Sequence, residues 1–363
     1  MHNTEDQEWV KKMAKRKQIH WNDKGARVAV VGATGAVGRE MLGCIHNLGL
    51  PVRRLYLLAS ERSEGKIFDY FGNPMVVRSA HYFDFAKVDI ALFSAGASVS
   101  RELAPKVLQE GVLMIDNTSA FRRDPEWPLV VPEINGNLIK LESGIIANPN
   151  CSTIQMVLAL KAIQDTAGLK SVRVATYQSC SGAGKKGIDA LLEETKLALD
   201  GKRPEESNVH ARGIAFDVVP QIGAFSDSGY TEEEEKMMFE TKKILELPNL
   251  PVSATCVRVP VVRCHSESVH VVTEKPFEMD EIVEAMKKIP NLTVIDPAGR
   301  DEYVTATQAE GKYETFVSRI RRDMAEENGL IFWIVSDNLL KGAALNAVQI
   351  ACAAWKSGEE GNA

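Results

Sequence analysis

The segment A-N-P-N-C-S-T-I-Q-M, residues 147–156, places a cysteine where its reactivity can be altered. Pro149 precedes a strong helical pattern, so Cys151 falls at or near a helix N-terminus. The positive end of the helix dipole there favours thiolate over thiol, and the thiolate is the nucleophile. Backbone N–H groups of the same turn can receive an oxyanion. Among the other cysteines, Cys44, Cys256 and Cys352 sit in apolar runs and read as buried structural thiols. Cys180 and Cys264 flank further candidate site residues and stay open. No pair has CxxC spacing and no Cys/His cluster has zinc spacing, so no metal centre is expected. A thiolate nucleophile also needs an acid/base partner. His2 and His20 lie in the N-terminal tail, and His46 follows a helical stretch. His265 stands in R-V-P-V-V-R-C-H-S-E-S-V, where two strand-like runs meet; spacing alone does not separate it from His270.

A second group of residues points to phosphate. Gly32, Gly35 and Gly38 fall in V-V-G-A-T-G-A-V-G, directly after a strand-like run and opening a helical one. Glycines permit a tight turn and let the backbone approach a pyrophosphate, which the helix N-terminus then holds. The spacing is GxxGxxG, looser than GxGxxG, and a ligand-free β–α turn would show the same glycines. The next strand supplies a sharper clue, because NAD-binding folds carry an acid about 20 residues on for the ribose hydroxyls. Ser60 stands in that place, followed by Glu61, Arg62 and Ser63. Arg62 and Ser63 suit a 2′-phosphate, since a guanidinium matches phosphate geometry. The expected cofactor is therefore NADP rather than NAD.

The elements that must carry these residues alternate in type. RVAVVG (27–32), LYLLA (55–59), VDIALFSAG (88–96), VLMIDN (112–117) and GIIANP (144–149) read as strands. Helical spacing follows the first run, with Val37, Met41, Leu42 and Ile45 on one side, and recurs over 100–111. Strand–helix alternation predicts βαβ units and a mostly parallel sheet. Beyond Cys151 come a helix in STIQMVLALKAIQ, a strand at 171–178 and a helix at 184–199. Residues 201–250 read as polar and irregular, with an acidic run at 231–236 whose plain reading is a solvated helix start. ATCVRVPVV, ESVHVVTE, TFVSRIRR and LIFWIVS then predict an antiparallel or mixed sheet. An alanine-rich helix is expected over 338–356.

Composition sets the outer limits. The chain has 363 residues, 45% hydrophobic and 25% charged, enough for two ordinary cores without a staple. A net charge of −6 leaves no basic surplus for nucleic acid. No run of 18 apolar residues exists to span a membrane. Six cysteines without framework spacing suit a reducing compartment. Residues 1–24 lack a signal-peptide stretch and read as an exposed extension; Glu5, Asp6 and Glu8 argue against a transit peptide.

The motifs G-A-T-G-A-V-G, S-E-R-S-E-G-K, N-T-S-A-F-R, V-P-E-I-N, N-P-N-C-S-T-I-Q, Q-S-C-S-G-A-G, E-E-E-K-M-M-F-E-T-K-K-I, R-V-P-V-V-R-C-H-S-E and D-N-L-L-K-G-A-A-L-N-A-V-Q-I occur in this order. Together they resemble the aspartate-semialdehyde dehydrogenase family over all but the N-terminal extension and the last few residues. The resemblance implies an α/β fold, with a Rossmann-type dinucleotide-binding domain and an α+β catalytic and dimerisation domain. Its domains would be 25–149 with a returning segment 338–363, and 150–337, behind the extension 1–24. It implies NADPH-dependent reductive dephosphorylation of L-aspartyl-4-phosphate to L-aspartate 4-semialdehyde, within lysine, threonine, methionine and diaminopimelate biosynthesis. Cys151 would be the nucleophile, His265 the acid/base and Gln178 the residue orienting the intermediate. Arg258 would clamp the substrate carboxylate, Arg122 and Lys236 would hold phosphate, and Glu233 the substrate ammonium, with the register of Glu233 in its acidic run open by one. Cofactor contacts would come from Gly32, Thr34, Gly35, Ala36, Val37, Ser60, Arg62, Ser63, Ser94, Gly96, Asn117, Ser181, Gly182, Asn338 and Gln349. The resemblance implies a cytoplasmic homodimer, with a tetramer as the alternative assembly, and an organelle stroma as the location were the source a plant or alga.

Two rival readings have distinct signatures. A phosphorylating dehydrogenase for N-acetylglutamyl phosphate shares the thiolate and hydride chemistry but has no ammonium group for Glu233 to bind. A non-catalytic NADP-binding regulator would have lost the nucleophile or base, whereas Cys151, Gln178, Arg258 and His265 are all present.

Overall fold

The computed structural model describes residues 25–140, 142–202, 204–295 and 302–360. The extension read at 1–24 lies outside them. The chain forms two compact units, one running to Pro149 and resuming at Ala343, the other Asn150–Gly342.

The first unit is built on β1 (Ala26–Val31), β2 (Val52–Ala59), a separate antiparallel hairpin of β3 (Ile67–Tyr70) and β4 (Asn73–Val76), then β5 (Arg78–Ser79), β6 (Ile90–Phe93), β7 (Leu113–Asp116) and β8 (Gly144–Ala147). Its six-stranded sheet runs β5-β2-β1-β6-β7-β8, with every pairing parallel. The β6, β7 and β8 residues are buried without alternation. Such continuous burial is what strands covered on both faces require. Helices α1 (Ala36–Asn47) and α2 (Ala97–Gln109) follow β1 and β6. Strand order reverses between β1 and β6, the switch point where doubly wound sheets bind ligands. At that point Gly32 has φ +90°, and a Cβ on it would lie 2.5 Å from the carbonyl oxygen of Ser94, so only glycine fits.

The second unit opens with α3 (Cys151–Ala167), β9 (Leu169–Gln178) and α4 (Lys185–Leu199). The stretch expected to be irregular instead contains α5 (Glu232–Ile244). A capping box starts it: Thr231 Oγ1 accepts from the Glu234 backbone N–H, and Glu234 Oε2 accepts from that of Thr231. Nor is its acidic run wholly solvated, since Glu233 and Glu234 are buried, as is Glu240 two turns on. Then come β10 (Val252–Arg258), β11 (His265–Thr273), α6 (Met279–Lys287), β12 (Leu292–Val294), β13 (Thr315–Arg322) and β14 (Gly329–Ser336). The six strands form a mixed sheet ordered β10-β9-β11-β14-β13-β12. Helix α3 packs on β9, β11 and β14, α5 on β10, and α6 on β12. Along α3 nearly every residue from Ser152 to Ile163 is buried, polar Ser152, Thr153 and Gln155 included. Burying Val157, Leu158, Leu160 and Ile163 stabilises the unit by roughly 1.5–3 kcal/mol per side chain. Helix and sheet thus form one rigid support for whatever stands at their ends.

The helix expected over 338–356 is divided. Leu340–Ala344 forms a π turn, and α7 (Leu345–Glu360) follows within the first unit. Asn346 fixes α7 there, its Nδ2 donating to Val130 O at 3.0 Å and Asn148 Oδ1 at 2.7 Å. Asn338 belongs to the second unit instead.

Candidate active site

Cys151 is the first residue of α3 and is half-buried. Asn150 caps the helix, its Oδ1 accepting from the backbone N–H groups of Ser152 at 3.0 Å and Thr153 at 3.3 Å. Asn150 is itself held twice by α5. Its backbone N–H donates to Glu240 Oε2 at 2.6 Å, and its Nδ2 to Glu233 Oε1 at 2.7 Å. Glu233 and Glu240 are seven residues apart, on one face of that helix. On the other side Gly342 packs against the cysteine: a Cβ there would lie 2.8 Å from Cys151 Cβ. The thiol therefore stands on a fixed backbone at the positive end of a buried helix, where a thiolate is favoured.

The remaining cysteines are unsuited to this role. Burial pushes the Cys180 thiol up to about 11 and those of Cys256 and Cys264 higher still. Cys180 and Cys264, left open by the sequence, are thus neutral buried thiols like Cys256.

Three predicted residues share one end of the second sheet. Arg258 on β10 pairs in register with Gln178 on β9. The Tyr177–Ser266 pair sets His265 of β11 beside Gln178, one residue further along. All three side chains are buried. Gln178 Nε2 donates to Thr176 Oγ1 at 3.3 Å and Glu233 Oε1 at 3.4 Å, and Lys236 Nζ reaches Glu233 Oε2 at 3.4 Å. Arg258 Nη1 donates to Ser179 O at 2.6 Å. The Ser179 backbone N–H in turn donates to His265 Nδ1 at 3.1 Å. His265 is lowered to about 3, first by burial and then by the Arg258 cation, so its ring is neutral near pH 7. Its Nε2 is buried without a hydrogen-bond partner among the described residues. Gly182 lies beside it, where a Cβ would come within 2.9 Å of Arg258 Nη1 and 3.3 Å of His265 Nε2. His270, the alternative left open, is 41% exposed and faces Asp323 at 3.6 Å, away from this row.

Asn338 closes the group from behind. Its Oδ1 accepts from Ser179 Oγ at 3.2 Å, Ser181 Oγ at 3.1 Å and the Cys264 backbone N–H at 2.9 Å. Sequence reasoning missed Ser179, Asn150 and Glu240. Asn150, directly before the cysteine in a capping position, was detectable; Glu240 carried no local signal.

In the first unit a cavity of about 620 Å³ opens at the switch point. Gly32, Thr34, Gly35, Ser60, Arg62 and Ser94 line it as expected. Ala36 and Val37 begin α1 beside it, Ser63 ends the 3₁₀ turn 61–63, and Gly96, with φ +97°, caps α2; none of these lines the cavity. Ser79, His81 and Glu102 do line it and were missed, because the two-residue strand β5 leaves no periodic signal. His81 Nδ1 and Glu102 Oε1 are 2.8 Å apart. Asn117 accepts from Asn148 Nδ2 at 2.6 Å through its side chain and from Arg122 Nη2 at 3.0 Å through its carbonyl. Gln349 Nε2 donates to Glu133 at 3.3 Å. The cavity residues fit a phosphorylated dinucleotide: a glycine turn at a helix N-terminus takes a pyrophosphate, and the Ser60–Arg62 turn supplies a cation where an acid would otherwise read ribose.

Comparison with known proteins agrees with both units. Residues 27–142 match the family model described as semialdehyde dehydrogenase, NAD binding domain, and residues 160–341 match the semialdehyde dehydrogenase dimerisation domain. The chain is 51% identical to the aspartate-semialdehyde dehydrogenase of Aquifex aeolicus, covering 90% of this chain and 97% of that one. It is 47% identical to that of Bacillus subtilis, with the same coverage of 90% and 97%. Among solved structures, aspartate-semialdehyde dehydrogenase II of Vibrio cholerae complexed with ASA matches with a TM-score of 0.88 at 45% identity, over 92% of this chain and 99% of that one. The Candida albicans aspartate-semialdehyde dehydrogenase with NADP shares the fold, with a TM-score of 0.72 at 22% identity, over 92% and 99% of the two chains.

Proposed function

Since the chain belongs to the aspartate-semialdehyde dehydrogenase family, we propose the following division of labour among its residues. The reaction is reductive dephosphorylation of L-aspartyl-4-phosphate to L-aspartate 4-semialdehyde with NADPH, a step of amino-acid biosynthesis. Cys151 attacks the acyl carbon, expels phosphate and holds the acyl group as a thioester. NADPH, when bound, would supply the hydride; Cys151 holds the acyl carbon for it, and collapse of the thiohemiacetal on Cys151 releases the aldehyde and restores the thiolate. Gln178 orients the acyl group, and Arg258 clamps the α-carboxylate as a guanidinium can. Glu233 takes the ammonium group, and Lys236 beside it takes the phosphate. Arg62, with Ser60 and Ser63, holds the 2′-phosphate of NADP. The observation that carries this reading is the placement of Cys151 as first residue of a buried, capped helix, in the unit whose sheet sets Arg258, Gln178 and His265 side by side.

The chain acts as a homodimer, in keeping with its match to a dimerisation domain. The sheet face away from α3 supports the dimer. It leaves Tyr177 and Trp333 part-exposed, their rings 5.3 Å apart, beside Arg319 and Arg321. Such a half-apolar face calls for a partner. Sedimentation velocity returning only monomer would rule this out. We assign the reaction to the cytoplasm, in keeping with the bacterial relatives; among the described residues no helix is long and apolar enough to cross a membrane.

The test is NADPH formation from L-aspartate semialdehyde, NADP and phosphate, omitting each in turn. Activity that requires all three supports the assignment. Activity with N-acetylglutamate semialdehyde alone would transfer the protein to the rival substrate and remove the role given to Glu233.

A further inference from the structure

Asp337 directly follows β14, is fully buried, and is held by donors from three parts of the second unit. Its Oδ1 accepts from the Leu339 backbone N–H at 3.0 Å, and its Oδ2 from that of Gly311 at 2.8 Å. Arg263 Nε bridges the two oxygens, 2.9 Å from Oδ1 and 2.7 Å from Oδ2. The Asp337 carbonyl accepts from the backbone N–H groups of Leu340 at 3.1 Å and Gly342 at 3.2 Å. On the proposed role of Cys151 as nucleophile, we infer that Asp337, paired with Arg263, is a positioning residue that sets Cys151 relative to His265.

Two lines of contact run from Asp337. One leads to the cysteine. The bonds to its carbonyl and Oδ1 close the backbone 337–342 into a single turn, which a short acidic side chain favours. Gly342 ends that turn against Cys151, where a Cβ would lie 2.8 Å from Cys151 Cβ and 3.2 Å from its Cα. Any shift of the turn therefore shifts the surface on which Cys151 rests. The other line leads to β11. Arg263 and Cys264 are the two residues before His265. Cys264 has φ +74°, which a residue with a side chain keeps only where its surroundings fix it. Those surroundings are the two residues that open the turn. Asp337 holds Arg263, and Asn338 Oδ1 accepts from the Cys264 backbone N–H at 2.9 Å. The same Asn338 oxygen accepts from the hydroxyls of Ser179 and Ser181, just beyond Gln178. One turn thus abuts the cysteine at its end and holds the approach to the buried row at its start.

The donor set calls for a carboxylate. Two backbone N–H groups and a guanidinium converge on Asp337, and an ionised carboxyl only accepts. Asparagine has nearly the same size, but its NH₂ would face at least one of these donors. A buried donor without an acceptor is costly enough to shift a turn. Reacting groups tolerate little movement, since a misplacement of about 1 Å can lower a rate by about 10²-fold.

Asp337→Asn tests this in the intact chain. Its kcat should fall by about 10–100-fold, with KM for L-aspartate semialdehyde changed by less than about threefold. Alkylation of Cys151 by iodoacetamide, followed on the peptide that contains it, should slow as well. A variant that melts lower yet keeps the wild-type kcat and alkylation rate would show that Asp337 only stabilises the fold, and would overturn the inference. Arg263 supplies a second arm should Asp337→Asn fail to fold. Arg263→Lys keeps a cation and a donor and should stay within about threefold of the wild-type kcat, whereas Arg263→Gln should lose about tenfold or more. Equal kcat in the lysine and glutamine variants overturns the inference. Failure of the underlying reading is distinguishable: it would remove phosphate-dependent turnover from the wild-type enzyme, while the alkylation rates need no substrate and still report on the turn.

Discussion

The backbone N–H of Asn150 donates to the buried carboxylate of Glu240 at 2.6 Å, so α5 fixes the residue that immediately precedes Cys151. The same helix holds the Asn150 side chain through Glu233 at 2.7 Å. Glu240 is therefore a positioning residue for Cys151, the proposed nucleophile. Glu240→Ala leaves a buried N–H unsatisfied, at a cost of roughly 1–3 kcal/mol. The expected result is a kcat lower by about tenfold or more with KM little changed, and slower alkylation of Cys151 by iodoacetamide. Glu240→Gln keeps an acceptor and should recover most of both rates. If alanine and glutamine behave alike, Glu240 does not act through this bond.

Gly342 tests the same backbone from its other side. Gly342→Ala brings a methyl to 2.8 Å from Cys151 Cβ and 3.2 Å from its Cα. A displacement of this kind should lower kcat by roughly 10–100-fold. Gly43→Ala, in α1 with nothing within 4 Å of the new methyl, is the control. It should leave activity unchanged and stabilise the protein by roughly 0.5–1 kcal/mol. A fully active Gly342→Ala enzyme would show that the packing around Cys151 is not critical.

Glu267 gives a pH-dependent prediction. Burial raises its folded-state pKa well above the usual carboxylate value, and the facing amide of Gln155 offsets this only in part. The unfolded chain has a value near ~4.3. A group raised on folding contributes stability that is fully present below its unfolded value. That contribution is lost as pH rises through the folded value. Glu267→Gln, neutral at every pH, should therefore melt above the parent at about pH 8, with the gap closing toward about pH 5. A melting difference that is constant with pH would mean that Glu267 does not titrate differently on folding.

In the dinucleotide cavity, Arg62→Ala removes the one cation of the Ser60–Ser63 turn. NADP binding should weaken by about 10–100-fold while NAD binding stays within about twofold, since hydrogen bonds to charged groups are worth roughly 1.5–3 kcal/mol. Equal loss for both cofactors in a calorimetric titration would place the 2′-phosphate elsewhere.

The legible parts of this protein are those where one periodic pattern suffices. The parallel sheet was readable because β1, β6, β7 and β8 are apolar runs separated by helical spacing. Cys151 was readable because Pro149 and Asn150 mark where α3 begins. The acidic run that opens α5 misled, although Thr231 and Glu234 carry the capping-box spacing. Its glutamates look solvated until their partners are known, and those partners, the Cys256 backbone N–H for Glu234 and the Asn150 side-chain amide for Glu233, lie 22 and 83 residues away. His81 and Glu102 were invisible for the same reason, as they meet only when β5 adds to the sheet edge beside β2. The His265 ring accepts from the Ser179 peptide N–H, 86 residues distant. Local pattern reveals elements and caps; long-range hydrogen bonds to the backbone leave no trace in it.

On the proposed mechanism the acyl group passes through Cys151. The direct measurement is mass spectrometry of the enzyme quenched with acid after mixing with L-aspartate semialdehyde and NADP, with phosphate withheld. An aspartyl thioester on the peptide containing Cys151, disappearing when phosphate is added, is the predicted result. Phosphate-dependent turnover surviving in Cys151→Ala, with no adduct on that peptide in the wild-type enzyme, would contradict it.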